Sequence, residues 1–564
     1  MIRVVKLSRH IFISSIKGIL CLSVFLSWHN EGIAQQKRSK AEEINITSSF
    51  KPSIVKTGKL EFFPEIPTKD THSYRFKYDF DPVSFKTPLS AFSLKPLAYH
   101  VQASPVDVNN FYLKVGGGNL NTPFVSTAYQ TRIGKNLISF GADHISSKGR
   151  IPNQQYANTT LNGRFSRQIA DNQSFTLNLG YHGDAYRSYG YDTAKFNFSE
   201  DELKQKFNSF SFGAGYDLVA GENANLFIKP ILKLDYLSTR RDAKEFNLQL
   251  AVPVDYLVGD DIKLSAALNV DFVSLKEDPV IKNSLFLLQL PLKVDYIIDG
   301  LYASGGIIPV LKNNKLVFVP DAKLVYTFKD GAAVRFLGGI SNTFNINSLK
   351  KLYEINPFLL TPAQLTVFQQ TNYYVGFDWL NAKGLQLQAK MGFVKFKNLP
   401  LFVNSSSNLL IPSGKDFAVM NEESATAFFV ESNLGYIFSD KLSFNAALKT
   451  YSFQSQLTYD DPYGILPIDL NLDFKWRPIE PLGLKLNGQI FGGNMAMEAG
   501  SLPFRTKGIL DLGFAVDYKL NKKWALWIDL NNIANAKYQR WNGYTSFGFN
   551  FLLGVKFNFT QLAQ

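Results

Sequence analysis

The chain has 564 residues, 45% hydrophobic and 14% aromatic, with 60 Lys and Arg against 47 Asp and Glu, a formal charge of +13. A single cysteine in this length excludes a disulfide-stabilised secreted scaffold, and after the N-terminal region no apolar run approaches the roughly 18 residues of a transmembrane helix. Lys and Arg never cluster with stacking aromatics, which argues against nucleic-acid binding, so the charge predicts a basic lumen or rim facing anionic lipid headgroups or solutes.

The first predicted element is a secretory signal peptide over residues 1–34. Basic residues flank an apolar run over residues 11–28, which holds the only cysteine, Cys21. Residues 32–34 read Gly-Ile-Ala and supply the small residues of a cleavage site. The mature chain is therefore expected to begin near Gln35 and to contain no cysteine, as suits a bacterial envelope protein.

Residues 35–108 form a second, proline-rich segment without an alternating pattern. Its prolines are Pro52, Pro64, Pro67, Pro82, Pro88, Pro96 and Pro105. Proline fixes φ and removes a backbone donor, so an extended, irregular segment is expected. Its apolar residues predict docking, either in a barrel lumen or against a periplasmic or outer-membrane protein.

From residue 109 to residue 559, alternating segments are separated by connections of two kinds. The first kind is short and rich in Gly, Asn and Asp, which suit tight hairpins: residues 134–136, 170–172, 221–223, 259–261, 299–300, 330–331, 381–384, 439–441, 478–483 and 521–523. The second kind is usually longer: residues 119–123, 147–156, 186–203, 239–244, 276–282, 311–315, 341–370, 398–424, 456–466, 495–506 and 534–544.

The two kinds of connection alternate strictly along the chain. Ten of one kind and eleven of the other join about 22 strands, with a range of 20 to 24. Short periplasmic turns and long extracellular loops alternate in this way in outer-membrane barrels. The fold class predicted is all-β, a transmembrane antiparallel barrel in the outer membrane of a Gram-negative bacterium, with both termini in the periplasm. Residues 348–354 in the longest loop are expected to form one or two helical turns.

The last predicted strand, residues 545–559, has an aromatic and aliphatic face. Alternate residues of a strand point to opposite sides, so this face is expected to meet lipid. The strand resembles the signal that the barrel assembly machinery recognises near the C-terminus. The predicted signal residues are Phe547, Phe549, Phe551, Phe557 and Phe559, and residues 560–564 are a tail.

Two further features concern strand ends and strand interiors. Aromatic side chains near strand ends predict contacts with the membrane interface, and the predicted residues are Trp476, Trp524, Trp527 and Tyr518. Pro253 and Pro291 lie inside apolar runs, where the lost backbone donor predicts bulges.

A search for catalytic or metal-binding patterns leaves no site. The histidines after the signal peptide have no cysteine or acidic partner at metal-ligand spacing. His144 with Ser146, and His182 with Asp184, share a strand face, but polar lining explains them better than a nucleophile with its base. No catalytic, cofactor or metal residue is predicted, and the chain is not expected to be an enzyme.

The chain resembles the barrel of TonB-dependent outer-membrane receptors. The resemblance is carried by the strand count and by residues 527–541, reading WIDLNNIANAKYQRW, which are similar to the penultimate strand and last loop of those receptors. It implies a 22-stranded barrel, a plug inside it and energised uptake of large nutrients. Residues 35–110 are roughly half the length of such a plug and contain no clear TonB box, so a barrel lacking a full plug domain is expected.

A bare barrel of this size leaves a wide channel, so something must close it. The expected function is a transport or receptor barrel whose lumen is blocked by residues 35–108, by the loops at 341–370 and 398–424, or by a partner. The alternative is a structural subunit of an envelope complex without transport activity. The sequence names no solute.

Overall fold

The computed structural model of the chain describes residues 108–221, 225–328, 333–380, 384–404, 414–456, 458–497 and 502–562. The predicted signal peptide and the predicted proline-rich segment, apart from its last residue, lie outside these ranges. Within them, no helix is long and apolar enough to cross a membrane.

One sheet contains most of the described strands. These strands are β1 (Val108–Gly118), β2 (Thr122–Ile133), β3 (Asn136–Ser147), β4 (Tyr156–Ala170), β5 (Gln173–Arg187), β6 (Lys204–Ala220), β7 (Leu226–Ile228), β8 (Ile231–Thr239), β9 (Lys244–Val258), β10 (Ile262–Glu277), β11 (Ile281–Gln289), β12 (Leu292–Ile298), β13 (Leu301–Lys312), β14 (Lys315–Thr327), β15 (Ala333–Ile346), β16 (Val367–Leu380), β17 (Leu385–Lys397), β20 (Ala425–Ser439), β21 (Leu442–Gln456), β22 (Ile468–Ile479), β23 (Leu482–Phe491), β26 (Ile509–Lys519), β27 (Trp524–Asn531) and β30 (Asn550–Leu562).

The remaining elements lie in the long connections. Three hairpins are formed by β18 (Leu399–Asn404) with β19 (Phe417–Glu422), β24 (Met495–Ala496) with β25 (Phe504–Arg505), and β28 (Gln539–Trp541) with β29 (Tyr544–Thr545). Among the described residues the helices are α1 (Glu200–Leu203) and α2 (Leu349–Ile355). The predicted helical turns at 348–354 are thereby confirmed, and the Ser348 side chain caps α2 by accepting a hydrogen bond from Lys351 N at 3.3 Å.

The main sheet closes on itself because β1 pairs antiparallel with both β2 and β30. β7 and β8 together occupy one strand position of the barrel, and β11 and β12 together occupy another. The 24 strands of the sheet therefore fill 22 strand positions. This confirms the predicted closed antiparallel barrel of 22 strands. The predicted short connections join neighbouring strands at one end of the barrel, called here the short-turn end. The long connections lie at the opposite end, called the long-loop end.

The prediction of bulges at Pro253 and Pro291 was wrong. β7 and β8 keep the same register against β6 and β9 across Pro230, and β11 and β12 keep theirs against β10 across Pro291. Pro253 lies within an uninterrupted β9. The carbonyls of all three prolines still accept ladder hydrogen bonds, at 3.0–3.1 Å. Each proline therefore removes one donor without adding the extra residue that a bulge requires.

The C-terminal strand is shifted relative to its prediction. β30 begins at Asn550 and continues to Leu562, which pairs with Val108. Phe547 and Phe549 precede the strand, so their assignment to it was wrong, since backbone groups of Phe549 bond to Arg150 and Asn535 instead of a ladder. The role of the strand in assembly stays a prediction.

The predicted interface aromatics divide into two groups. Trp476, Trp524 and Tyr518 point outward at the short-turn end and are about 45% exposed, and their contact with a membrane interface stays a prediction. Trp527 points inward and is 1% exposed, so its assignment to the interface was wrong. Lys114 Nζ lies 3.8 Å from the centroid of its ring.

Two glycines allow close approach where the barrel closes, Gly116 beside the Trp527 ring and Gly554 against the backbone of β1. A Cβ at Gly116 would lie 2.5 Å from Trp527 Cζ2, and one at Gly554, the register partner of Gly116, would lie 1.9 Å from Val115 O. We expect Gly554→Val to destabilise barrel closure by about 1–3 kcal/mol through overpacking. The measurement is the temperature at which the folded, fast-migrating band is lost on a semi-native gel.

The control for this prediction is Gly117→Val. Gly117 lies on the outward face, and an added Cβ would meet only Thr122 O at 3.6 Å. Equal unfolding temperatures for the two variants would show that close backbone approach at the closing pair does not limit the barrel.

Candidate functional site

The inward faces of several strands change from polar to apolar toward the long-loop end. On β10 the inward residues from the short-turn end are Lys263, Ser265, Ala267, Asn269 and Asp271, followed by the buried Val273 and Leu275. On β17, Gln386, Gln388 and Lys390 are followed by the buried Val394 and Phe396. An apolar inward face cannot line water without cost, so something covers it.

Three of the long connections provide this cover, and together they are called the loop cap. The loop cap consists of residues 347–366 between β15 and β16, the β18–β19 hairpin and the β28–β29 hairpin. Its apolar side chains belong to the same buried clusters as the apolar wall. The expectation that the loops at 341–370 and 398–424 occupy the lumen agrees with this packing.

Helix α2 forms because Leu349, Leu352 and Tyr353 share one face that packs on the wall. All three side chains are at most 8% exposed. The ring of Tyr353 stacks on Phe207 of β6 with centroids 3.6 Å apart, and Leu237 of β8 belongs to the same cluster. The short helix is therefore stabilised by tertiary burial, since an isolated helix of this length is not stable in water.

Polar contacts fix α2 against β5, β8 and β9. Glu245 is fully buried and accepts hydrogen bonds from Leu349 N at 2.5 Å and Lys350 N at 3.1 Å. Lys350 pairs with Asp235 at 2.5 Å. Burial raises the pKa of the Tyr353 hydroxyl well above its usual range, so this hydroxyl remains protonated.

The neutral Tyr353 hydroxyl donates a hydrogen bond to Asp184 at 2.8 Å. Asp184 also pairs with His182 Nε2 at 2.8 Å. Of the two residues weighed above as a catalytic pair, Asp184 thus holds the loop cap to the wall, and His182 pairs with it from within the wall. His144, the other candidate, lies 2.9 Å from the Thr159 hydroxyl.

An aromatic cluster joins the three parts of the loop cap. Phe358 stacks on Tyr544 with centroids 3.5 Å apart. Trp541 contacts Phe402 of β18 and Phe417 of β19 edge to face, at 5.3 and 5.4 Å. Rings from all three segments therefore share one core, and such contacts add stability beyond the buried area.

Backbone hydrogen bonds reinforce the aromatic cluster. Leu360 N donates to Phe417 O, and Phe417 N donates to Phe358 O, both at 2.8 Å. Asn404 Nδ2 donates to Asn542 O at 3.0 Å. Fixed hydrogen bonds of this kind join loops into one unit, whereas surface loops usually bond to water.

Behind the loop cap, toward the short-turn end, ion pairs line the lumen wall, either between adjacent strands or across one intervening strand. Distances of 2.9–3.2 Å separate the pairs Lys114–Asp529, Lys263–Asp295, Lys293–Asp321, Arg335–Asp378, Lys449–Glu431 and Lys485–Asp473. These cations are neutralised locally, so this wall does not form the basic lumen that the net charge allowed. Among the described residues no group of His, Cys, Asp and Glu is arranged to hold a metal ion.

The β28–β29 hairpin and the polar-to-apolar change were not predicted from the sequence. The change is nevertheless visible in the printed sequence, because alternate residues of β10 pass from charged and small to Val273 and Leu275. A strand whose inward face becomes apolar at one end signals a covering loop.

Glu245 gives a direct test of how α2 is held. Glu245→Gln keeps the size of the side chain but removes its charge and places amide hydrogens near the two backbone donors. We expect a loss of about 1–3 kcal/mol in the free energy of α2 opening. Hydrogen exchange of the α2 amides should accelerate, whereas Glu354→Gln, at an exposed position of the same helix, should leave it unchanged.

No protein-family model and no curated protein matches the sequence. Solved structures do match over most of the chain. The siderophore receptor PirA from Acinetobacter baumannii is 10% identical with a TM-score of 0.61, and 80% of each chain is covered. The FrpB iron transporter from Neisseria meningitidis is 9% identical with a TM-score of 0.60, covering 80% of this chain and 81% of that one.

A variant of the ferric enterobactin receptor PfeA from Pseudomonas aeruginosa, solved with enterobactin, is 12% identical with a TM-score of 0.60. It covers 80% of this chain and 81% of its own. At these identities the likeness concerns the fold. The chain is a closed barrel of 22 strands with the fold of these receptor and transporter structures.

Proposed function

We propose that this chain is an outer-membrane receptor or transport barrel whose passage is gated by the loop cap. The observation that carries the proposal is the match between the apolar inner wall at the long-loop end and the apolar side chains of the loop cap. A closed barrel of 22 strands encloses a lumen that needs a plug or cover. The loop cap supplies that cover from within the barrel chain.

The arrangement of the wall supports a solute path behind the loop cap. Polar and charged side chains face the lumen toward the short-turn end, and the ion pairs among them leave no strong field of either sign along the wall. A wall of this kind suits a path for large hydrated solutes, with the loop cap as the barrier. The barrel has no role for a nucleophile in this account, and the chain is proposed as a non-enzyme.

The class of solute is proposed from the fold. The matching structures include a siderophore receptor, an iron transporter and a ferric enterobactin receptor. On that likeness we take the cargo to be a large nutrient of siderophore size. Residues 35–108, predicted as a docking or luminal segment, would then contribute contacts on the periplasmic side.

Cysteine labelling tests whether the loop cap both closes and opens. In a chain with Cys21→Ser, Ala267→Cys places a thiol on the inward face of β10, behind the loop cap. Leu502→Cys places a thiol at a side chain that is 86% exposed in a long loop. Whole cells are treated with a maleimide on a polymer too large for general porins.

Gating predicts complete but much slower labelling at residue 267 than at residue 502. Equal rates at the two positions would mean that the lumen is open. Labelling at residue 502 with none at residue 267, even after long exposure, would mean a static cover and would contradict passage through the barrel.

A further inference from the structure

Three lysines form a row on the outer surface of the barrel at the long-loop end. Lys244 on β9 is the register partner of Lys276 on β10, and Lys276 is the partner of Lys282 on β11. All three are exposed. They share strand parity with the exposed Phe246 and Phe286, so this lysine row points away from the lumen.

Among the described residues, carboxylates neutralise little of the positive charge of the lysine row. Lys276 forms an ion pair with Asp278 at 2.7 Å, with both side chains more than half exposed. Among the described residues no carboxylate forms an ion pair with Lys244 or Lys282. Like charges directly opposite each other destabilise a sheet, so the row is favourable where an external anion lies against it.

The neighbouring strands continue the row with polar side chains. Ser238 of β8 pairs with Lys244, and Asn208 of β6 pairs with Ser238. Both are uncharged, and their hydroxyl and amide groups are hydrogen-bond donors. The same level of the outer surface thus offers cations and neutral donors across five neighbouring strand positions, from β6 to β11.

An apolar groove begins directly below the part of this level that β6, β8 and β9 form on the outer surface. The next outward residues are Phe210, Tyr236 and Phe246, which are register partners in sequence. They line a groove of about 510 Å³ together with Phe140, Gly163 and Leu179. At Gly163 an added Cβ would meet only the Cβ of Leu179, at 4.0 Å, so the glycine leaves the groove open.

We propose that the lysine row and this groove bind one phosphorylated membrane lipid. The ammonium groups contact the headgroup phosphates, and the groove holds an acyl chain. Lys244 stands immediately above Phe246 of the groove, and this order of cation and apolar side chain matches the order of headgroup and chain in a lipid. A free phosphate matches only the row. The outer rim, and not the lumen, then carries the basic function that the net charge suggested.

The test compares two variants that lose equal charge. Lys244→Gln, Lys276→Gln and Lys282→Gln together remove the row. Lys135→Gln, Lys441→Gln and Lys522→Gln remove three exposed lysines at the short-turn end. Native mass spectrometry in detergent measures binding of diphosphorylated lipid A, of its dephosphorylated form and of inorganic phosphate.

We expect the row variant to bind diphosphorylated lipid A roughly tenfold or more weakly, and the control variant to bind as the unmodified chain does. Gly163→Leu, which fills the groove, should weaken lipid binding while the barrel stays folded on a semi-native gel. The dephosphorylated lipid should bind weakly to every variant.

Two results would overturn the proposal. Equal loss in the row and control variants would indicate attraction to net charge alone. Inorganic phosphate that competes with lipid A at equal concentration, together with no effect of Gly163→Leu, would indicate an anion site without a lipid.

Discussion

Cells that carry the chain with residues 349–364 replaced by a short Gly-Ser linker should become sensitive to large antibiotics that the outer membrane normally excludes. The replacement removes α2 and Phe358, which fill the lumen against β6 to β16. The remaining hairpins cover the other part of the wall, so a path opens along the uncovered side. The minimum inhibitory concentration should fall by an order of magnitude.

The matched control substitutes Gly and Ser for residues 192–195, which are exposed in another long loop. This change alters a loop without uncovering the apolar wall, so sensitivity should stay at the level of the unmodified chain. Unchanged sensitivity in the first variant, with equal amounts of folded barrel, would show that residues 347–366 are not the barrier.

Trp541→Ala should have the second-largest effect, because Trp541 contacts the β18–β19 hairpin at its two buried phenylalanines. The side chain is 6% exposed, and Arg540 packs on its ring at 4.1 Å. Truncating a buried Trp costs about 3–5 kcal/mol. Since the barrel wall does not depend on this ring, the loss should fall on the loop cap.

The measurement is the labelling rate of Ala267→Cys in the Trp541→Ala background. A loss of about 3–5 kcal/mol corresponds to an increase of roughly 150- to 5,000-fold in the open fraction. Trp476→Ala, at an outward position of β22, is the control and should leave the rate unchanged. A similar rate in both variants would place Trp541 outside the barrier.

The barrel was predictable because its signals are local. Alternating faces set the strands, and the strict alternation of short and long connections set their number. Prolines misled the prediction at Pro253 and Pro291, since their missing donors are tolerated without a change of register. Such tolerance depends on the neighbouring strands, which a single stretch of sequence does not describe.

The position of Trp527 shows why one aromatic residue is a weak signal. Its neighbours on β27 alternate as for any barrel strand, and the register alone decides whether it faces lipid or lumen. The two glycines opposite it, Gly116 and Gly554, lie far apart in the chain. Their pairing across the closing strands makes the inward space, and no local pattern contains it.

The loop cap was predictable in part. Residues 341–370 and 398–424 were identified by their length, and the polar-to-apolar change along β10 and β17 was available in the sequence. The aromatic cluster that joins the segments depends on Phe358, Phe417 and Trp541. These residues meet only after the barrel has brought their loops together.

Single-channel recording in a planar bilayer tests directly whether the loop cap closes the barrel. The purified intact chain is compared with the chain in which residues 349–364 are replaced. Closure by the loop cap predicts silence from the intact chain and large conductance steps from the replacement. Large steps from the intact chain, or silence from both proteins, would contradict it.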